Sequence, residues 1–414
     1  MQKLDHLHFY DREPVARFDD DFYGIHHVRT DLAMEATEVI VEREGPPEIP
    51  GVVVANEETD VANINRTNIQ TEGGARTLGK ARGNYVTIES QALRQHNRQA
   101  LLEVSELIAG ELEDFFGDLG DEDPILVVGL GNWNATPDAL GPRVINKLLV
   151  TRHLFTFAPP ELRGGLRPVA AISPGVLGIT GIETGETILG IVDRVKPKLI
   201  ICIDALASRS TERLCTTIQI ADSGIHPGSG IGNMRMGITQ DTMGVPVLAI
   251  GVPTVIHAVT LISDGMEMIA KAGGNGAGQK ADSTVGSHSA DAITAMPKAS
   301  TTSSILDPQN IRMDTGRTPS MEMGAEVGFS PSATADQKIQ QLGKKRASRG
   351  GTGIDDATKR QVIRKLLEPY MGTMVVTPKE IDVLMADAAW VVAAGLNIAM
   401  HPGMDPEQAA QYTV

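Results

Sequence analysis

Apolar runs alternate with helical patterns from Pro124 to about residue 270. Five runs are short, rich in Val, Ile and Leu, and bounded by Gly, Pro or polar residues, which is typical of buried strands. Other segments carry apolar residues at helical spacing, and Val255–Ile269 continues this pattern after the last run. Strands that alternate with helices form parallel βαβ units, so the pattern predicts an α/β fold, a three-layer sandwich with a mostly parallel central sheet. The strand runs are PILVVGLGN, RPVAAIS, KPKLIICIDAL, CTTIQIAD and VPVLAIGVPTV, and the helical segments are DALGPRVINKLLV and TGETILGIVDRV.

A long apolar helix is predicted near the C-terminus, in VTPKEIDVLMADAAWVVAAGLNIAMHP. Thr377 is the expected N-cap, Pro378 takes the first helical position and Glu380 completes a capping box. Gly395 is the expected end of the helix. Because the segment is apolar on most sides, we expect it to pack on the α/β core.

Composition divides the chain into four parts. Residues 1–31 are polar and rich in Asp and His, which indicates a mobile tail or pro-segment. An α/β domain is expected over 32–270 and a helical part that packs on it over 354–414. Between them, residues 271–353 consist mainly of Gly, Ser, Thr, Ala, Lys and Asp, with Phe329 as the one aromatic residue. Such a composition buries too little apolar surface to offset the entropy of ordering, so we predict a disordered insertion.

Charge and cysteine content exclude several classes of protein. The net charge is −15, and residues 1–60 hold 15 acidic side chains against 5 basic ones, so no basic stripe is present for nucleic acid. No secretory signal and no run of 18 apolar residues is found, so neither export nor a membrane anchor is expected. Two cysteines, Cys202 and Cys215, are too few for a disulfide framework. A cytoplasmic protein fits these features.

Two aspartates follow predicted strands at positions where ligands bind in open α/β sheets. Asp138 lies in GLGNWNATPDALGP after the first strand run, and Asp204 closes the apolar run LIICIDAL. Asp138 alone is explained by the helix dipole, but a carboxylate at the end of a buried strand is costly without a partner. Together the two offer a general acid and base, or two ligands of a metal. The glycine spacing and the absence of a Gly-Lys-Ser/Thr sequence disfavour a phosphate site.

The loop ADSGIHPGSGIGNMRMG, 221–237, is a candidate substrate loop because it is rich in glycine and polar groups. Asp222, His226 and Asn233 are its candidate contacts, although a plain connector explains the loop about as well. His226 and His257 are weaker candidates for a metal site. We assign no metal and no cofactor.

The segment VRTDLAMEATEV, 28–39, has two interpretations. In the first, Asp31 caps an amphipathic helix whose buried stripe contains Leu32, Ala36, Val39 and Ile40. In the second, Asp31-Leu32 is a cleavage site. The two are compatible, since a precursor can hold the segment folded until it is cut.

These motifs together resemble the germination protease family of endospore-forming bacteria. The resemblance rests on RTDLAMEA, VVGLGNWNATPDALGPRV, SPGVLGITGIETGE, LIICIDALASR, TIQIADSGIHPGSGIGNMR and VVTPKEIDVLMADAAWVVAAGLNIAMH. It implies a phosphorylase/hydrolase-like fold similar to hydrogenase maturation proteases. It also implies an endopeptidase of the forespore or spore core that is made as a tetrameric zymogen and acts on small acid-soluble spore proteins.

The same resemblance suggests roles for particular residues. Asp138 and Asp204 match the catalytic pair of the family. Asp31-Leu32-Ala33-Met34-Glu35 repeats the order that the family cuts, with cleavage after the first acid, so Asp31 and Leu32 are the expected processing site. Two other classes stay open: a metal-dependent endopeptidase of the hydrogenase-maturation type, and a non-enzymatic binding module with an acidic cleft.

Overall fold

The computed structural model describes residues 30–44, 48–159, 161, 163–226, 236–275, 362, 365 and 374–413. One compact unit draws its described residues from Met1–Met268 and Ile354–Val414. Of the second unit, Ile269–Gly353, the structure describes only the last turns of one helix. Residues 1–29 of the predicted pro-segment and most of the predicted insertion therefore lie outside the described residues.

The described residues form twelve α-helices and nine strands. The helices are α1 (Ala33–Glu44), α2 (Glu72–Leu78), α3 (Ala92–Gln95), α4 (Arg98–Phe116), α5 (Leu140–Ile145), α6 (Arg152–Phe157), α7 (Leu177–Thr180), α8 (Thr184–Val195), α9 (Gln240–Met243), α10 (Ala258–Asn275), α11 (Ile381–Met400) and α12 (Pro406–Tyr412). The strands are β1 (Val52–Glu58), β2 (Asn63–Ile69), β3 (Gly83–Glu89), β4 (Ile125–Gly129), β5 (Val169–Ile172), β6 (Leu199–Ser208), β7 (Thr217–Ala221), β8 (Val247–His257) and β9 (Val375–Val376).

The strands of the described residues form one mixed sheet in the order β1-β2-β3-β7-β8-β6-β4-β5, with β9 paired to β8. Strands β8, β6, β4 and β5 are parallel to one another, as predicted. The other pairs are antiparallel: β1 with β2, β2 with β3, β3 with β7, and β7 with β8. The expectation of a mostly parallel sheet therefore holds for only half of it. The turn between β1 and β2, closed by Thr59 N–H donating to the Ala62 carbonyl at 2.9 Å, is too short for a parallel crossover.

Helices cover both faces of the sheet, which confirms the three layers. On one face, α4, α5 and α11 pack on alternate strand residues such as Val127 and Ile201. On the other face, α8 packs on the intervening residues, including Val128 and Cys202. Helix α1 packs over Tyr85 and Ala221, which lie on that second face, in the antiparallel half of the sheet. Burial on both faces explains why β4, β6 and β8 read as continuous apolar runs.

Helix α11 differs from its predicted ends. The Thr377 hydroxyl donates to the Thr254 carbonyl at 2.8 Å instead of capping the helix, and α11 begins at Ile381. Gly395 does not end the helix, which continues to Met400. It lies where α11 packs closely on α4, and an added Cβ would be 2.8 Å from the Ile108 Cγ2 atom. Tertiary packing therefore overrides both local signals.

Two other predicted helices begin later than expected. Val255–His257 belong to β8, because Ile256 and His257 pair with β9, and α10 starts at Ala258. Asp138 lies in a short 3-10 helix, Thr136–Asp138, and α5 starts only at Leu140. This 3-10 turn places Asp138 in the loop between β4 and α5.

Among the described residues one helix, α11, is long and apolar enough to cross a membrane. Most of it, 78% of the apolar window, is buried inside the molecule. Its contacts with α4 and α5 are those of a core helix.

Candidate active site

A cavity of about 570 Å³ lies above the second face of the sheet. Both halves of the sheet contribute to it. The parallel half supplies Asp138, from the loop after β4, and Asp204, which lies within β6 and not after the strand as predicted, because β6 continues to Ser208. The antiparallel half supplies Gln219 of β7 and Lys80. Asp31, from the segment ahead of α1, also lines the cavity.

The loop after β4 holds Asp138 through its backbone. Gly131 has a φ of +107°, and a Cβ there would lie 2.0 Å from the carbonyl oxygen of Asp138. Asn132 N–H donates to the Asp138 Oδ2 atom at 2.8 Å, and the Thr254 hydroxyl donates to the Pro137 carbonyl at 2.6 Å. The glycine is therefore required where the loop folds back, and these hydrogen bonds fix the carboxylate against the end of β4.

Asp204 lies on β6, the strand next to β4. Ala205 N–H donates to the Asp204 Oδ1 atom at 2.9 Å, and Leu130 N–H donates to the Ile203 carbonyl at 2.8 Å, which ties the Asp138 loop to β6. The structure thus brings both predicted carboxylates to the wall of one cavity. Cys202, buried next along the same face, has a thiol whose pKa is raised by burial and by the charge of Asp204.

The predicted processing segment is docked on β6 and β7. Asp31 N–H donates to the Ala207 carbonyl at 2.8 Å, and Ala207 N–H donates to the Asp31 Oδ2 atom at 2.8 Å. Leu32 is fully buried, at 0% exposure. A helix forms as predicted, with Ala36 and Val39 buried and Ile40 partly buried. The expected cap is wrong, because the Asp31 carboxylate accepts from Ala207 N–H of β6 instead.

Glu35 fixes the first turn of α1. Arg209 N–H and Ser210 N–H donate to its carboxylate at 2.7 and 2.9 Å, and the Arg213 guanidinium lies 3.4 Å from it. The Thr30 hydroxyl donates to the same carboxylate and accepts from Leu32 N–H at 3.0 Å. This acid is therefore buried with several charge-assisted partners, which is the environment that a buried carboxylate requires.

Lys80 was not singled out by the sequence patterns. Its Nζ atom donates to the Thr30 carbonyl at 2.7 Å. Burial lowers its pKa, and the nearby charges of Asp31 and Glu35 oppose this shift. A cation in this wall favours an acidic side chain beside it.

The candidate loop residues have different positions. Asp222 binds Asn84, accepting from its backbone N–H at 2.8 Å and from its side-chain amide at 2.7 Å. His226 lines the cavity and packs against Gly237, where an added Cβ would lie 2.7 Å from the His226 Nε2 atom. Asn233 lies outside the described residues. Asp222 therefore has a structural contact, and only His226 is placed at the cavity.

The described parts of the chain contain no group of three or more His, Cys, Asp or Glu side chains that could bind one metal ion. His257 is buried on β8, and Cys202 and Cys215 are both buried and free. The metal site considered from the sequence involved His226 and His257, and neither belongs to such a group among the described residues.

Comparison with known proteins identifies the family. The family model described as germination protease matches residues 31–315 and 318–413. The chain belongs to this family of peptidases. It is 41% identical over 402 residues to a germination protease of Geobacillus sp. (strain WCH70), covering 94% of this chain and 98% of that protein. It is 39% identical over 392 residues to a germination protease of Bacillus cereus (strain AH187), covering 93% and 97%.

One solved structure is also similar, a nickel–iron hydrogenase maturation protease from Thermococcus kodakarensis KOD1. The similarity covers 39% of this chain and 95% of that one, at 18% identity and a TM-score of 0.24. A TM-score this low does not establish a shared fold, so the family assignment rests on the sequence matches.

Proposed function

We propose that this germination protease homologue is an endopeptidase, made as a zymogen, that initiates degradation of small acid-soluble spore proteins during spore germination. The observation that carries the proposal is that Asp204, within β6, and Asp138, in the loop after the adjacent strand β4, both line one cavity. Family membership supplies the reaction class, peptide-bond hydrolysis.

The two aspartates act as acid and base. Carboxyl groups that share a site do not both ionise easily, so one holds a proton while the other is charged. The charged carboxylate takes a proton from water as the water oxygen attacks the scissile carbonyl carbon, and the protonated carboxyl hydrogen-bonds the carbonyl oxygen. When the C–N bond breaks, the leaving nitrogen takes a proton from the pair.

Cleavage follows an acidic residue and precedes a bulky apolar one. The chain carries this order itself in Asp31-Leu32, and Asp31 lines the cavity while Leu32 is buried beside it. We propose that the enzyme processes itself between these two residues. Removal of residues 1–31 takes Asp31 out of the cavity wall and leaves that space for substrate.

The proposed setting follows from the family. The protein acts in the cytoplasm of the forespore and spore core as a homotetramer, with spore proteins as its partners and no direct contact with nucleic acid or membrane. His226 is the remaining candidate for a substrate contact within the described residues, since it lines the same cavity.

The test is incubation of the enzyme with a small acid-soluble spore protein, followed by mass mapping of the products. We expect cuts after an acidic residue that precedes an apolar one. Asp138→Asn and Asp204→Asn should each lower the rate by about 10³-fold, within the range for general acid–base catalysis.

A matched control replaces an exposed aspartate on α9, Asp241→Asn, and should leave the rate unchanged. A chelator should also leave it unchanged, whereas loss of activity on chelation would favour the metal-dependent alternative. Near-full activity in a folded Asp138→Asn or Asp204→Asn protein would contradict the two-aspartate mechanism.

A further inference from the structure

The side-chain amide of Gln219 spans the proposed processing bond. Its Nε2 atom donates to the carbonyl oxygen of Asp31 at 3.2 Å, and its Oε1 atom accepts from the backbone N–H of Ala33 at 2.8 Å. The Asp31–Leu32 peptide bond lies between these two contacts. A primary amide carries both a donor and an acceptor, so a single glutamine holds the backbone on both sides of the bond.

Gln219 shares a sheet face with Asp204. Both residues are in register with Gly251 of β8, one from each neighbouring strand. In-register positions on adjacent strands direct their side chains to the same face of a sheet. Gly251 places no side chain between them, and all three residues line the cavity. The carbonyl that Gln219 contacts is therefore presented on the face that carries Asp204.

Neighbouring contacts fix which carbonyl reaches Gln219. Ala207 pairs with the backbone and the carboxylate of Asp31, and Lys80 Nζ binds the Thr30 carbonyl at 2.7 Å. Leu32 is fully buried on the other side of the bond. A shift by one residue would expose Leu32 and break these polar contacts, so the register is specific.

We propose that Gln219 is the carbonyl-binding residue for cleavage of the Asp31–Leu32 bond in the full-length chain. This role rests on the proposed self-processing. When water adds to the carbonyl carbon, negative charge develops on the oxygen, and the Nε2–H group is already directed at that oxygen. Loss of one such amide donor lowers a hydrolytic rate by about 10²–10³-fold. The contact to Ala33 holds the leaving side of the bond in place during the reaction.

The test follows self-processing of the full-length chain by mass, with Gln219→Glu as the main variant. At neutral pH the new carboxylate has no proton to donate to the Asp31 carbonyl, so we expect processing about 10²-fold slower than in the wild type. Near pH 4–5, around the ordinary glutamate pKa of about 4.3, the carboxyl regains an O–H donor. The processing rate of Gln219→Glu should therefore approach the wild-type rate as the pH falls.

Two further variants separate this role from a structural one. Gln219→Met is similar in size and has no strong donor, so it should be slow at every pH, with no recovery in acid. Gln91→Glu adds the same charge at an exposed position and should process at the wild-type rate. Thermal midpoints close to that of the wild type show that each variant is folded.

The self-processing rates of these variants decide the role of Gln219. Processing of Gln219→Glu at the wild-type rate, or a slow rate whose ratio to the wild type is independent of pH, would overturn carbonyl donation by Gln219. Absence of any cut at Asp31–Leu32 in the wild-type chain would instead overturn the self-processing, and the role of Gln219 with it. Cleavage of spore proteins in trans tests the endopeptidase assignment independently of both.

Discussion

At the scale of single residues, Gly131 decides the position of Asp138. Its φ of +107° is strained for any residue with a side chain, and an added Cβ would lie 2.0 Å from the Asp138 carbonyl oxygen. We predict that Gly131→Ala displaces the loop after β4, costs of order 1–3 kcal/mol in unfolding free energy and lowers peptide cleavage at least ~10-fold. Thermal unfolding and a peptide cleavage assay measure both effects.

A glycine without such constraints provides the matched control. Gly190 is exposed within α8, and an added Cβ would meet no atom within 4 Å. Gly190→Ala should raise the unfolding free energy by up to about 1 kcal/mol through helix propensity and leave cleavage unchanged. If Gly131→Ala behaved like Gly190→Ala, the backbone would not be what positions Asp138.

The sequence predicted some of the site residues because of their local context. Asp204 interrupts the apolar run LIICIDAL and so violates the local apolar pattern. Asp138 was predicted because it follows a buried strand, where ligands bind in open α/β sheets. Gln219 is likewise a polar residue in a fully buried strand, TIQIA, but it was not among the predicted site residues. Lys80 gives no signal, because its contact with Thr30 joins segments that are distant in the sequence.

At the scale of elements, the end of α11 is anchored by a neutral histidine. Arg167 N–H donates to the His401 Nδ1 atom at 3.2 Å, so the proton of the neutral ring lies on Nε2, 3.1 Å from the Leu149 carbonyl. Burial lowers the pKa of His401 below its ordinary value of 6.5; the hydrogen bond to the Leu149 carbonyl opposes this shift, and the charge of Arg167 adds to it. Protonation of Nδ1 would remove the hydrogen bond from Arg167.

This anchor predicts a loss of stability in acid. The unfolded chain binds the proton at higher pH than the folded one, so the contribution of His401 is complete above pH 6.5 and is lost as the pH falls from there towards the folded pKa. We expect thermal midpoints between pH 7.5 and 5 to fall less steeply in His401→Gln than in the wild type. One proton contributes at most about 1.4 kcal/mol per pH unit.

An exposed histidine on α6 serves as the control for this effect. His153→Gln should keep the wild-type dependence of the thermal midpoint on pH. An unchanged slope in His401→Gln would mean that protonation of other groups causes the acid sensitivity.

Elements with continuous apolar sequences were predicted well, and polar ones were missed. β4, β6, β8 and α8 have two covered faces or a clear apolar stripe. β2 is mostly polar, as in NINRTNI, even where Asn65 and Thr67 are buried, and β1 is almost wholly exposed at the sheet edge. Their pairing depends on hairpin contacts rather than on apolar burial, so a pattern of apolar runs does not detect them.

At the scale of the whole molecule, one sheet carries both the proposed catalytic carboxylates and the residues that hold the segment at Asp31. The parallel half holds the carboxylates Asp138 and Asp204, and the antiparallel half supports α1 and supplies Gln219. The segment at Asp31 contacts both halves, through Ala207 of β6 and Gln219 of β7. Apolar runs predicted only the parallel half, so the contacts that hold the proposed processing segment became visible only with the antiparallel strands.

Every described group of the candidate site lies outside residues 271–353. The Gly-, Ser- and Thr-rich composition of that segment offers little apolar surface for burial. We therefore predict that deletion of residues 280–348 changes the thermal midpoint by only a few degrees and leaves spore-protein cleavage intact. The entropy of closing a loop grows only with the logarithm of its length, so the shorter connection costs little.

A variant in which the same residues become a Gly/Ser linker of equal length separates composition from length, and both variants are compared by thermal unfolding and by product mapping. If both failed to fold or to cleave while the intact chain did so, the segment would contribute contacts to the fold or the site; if only the deletion failed, length alone would be the requirement.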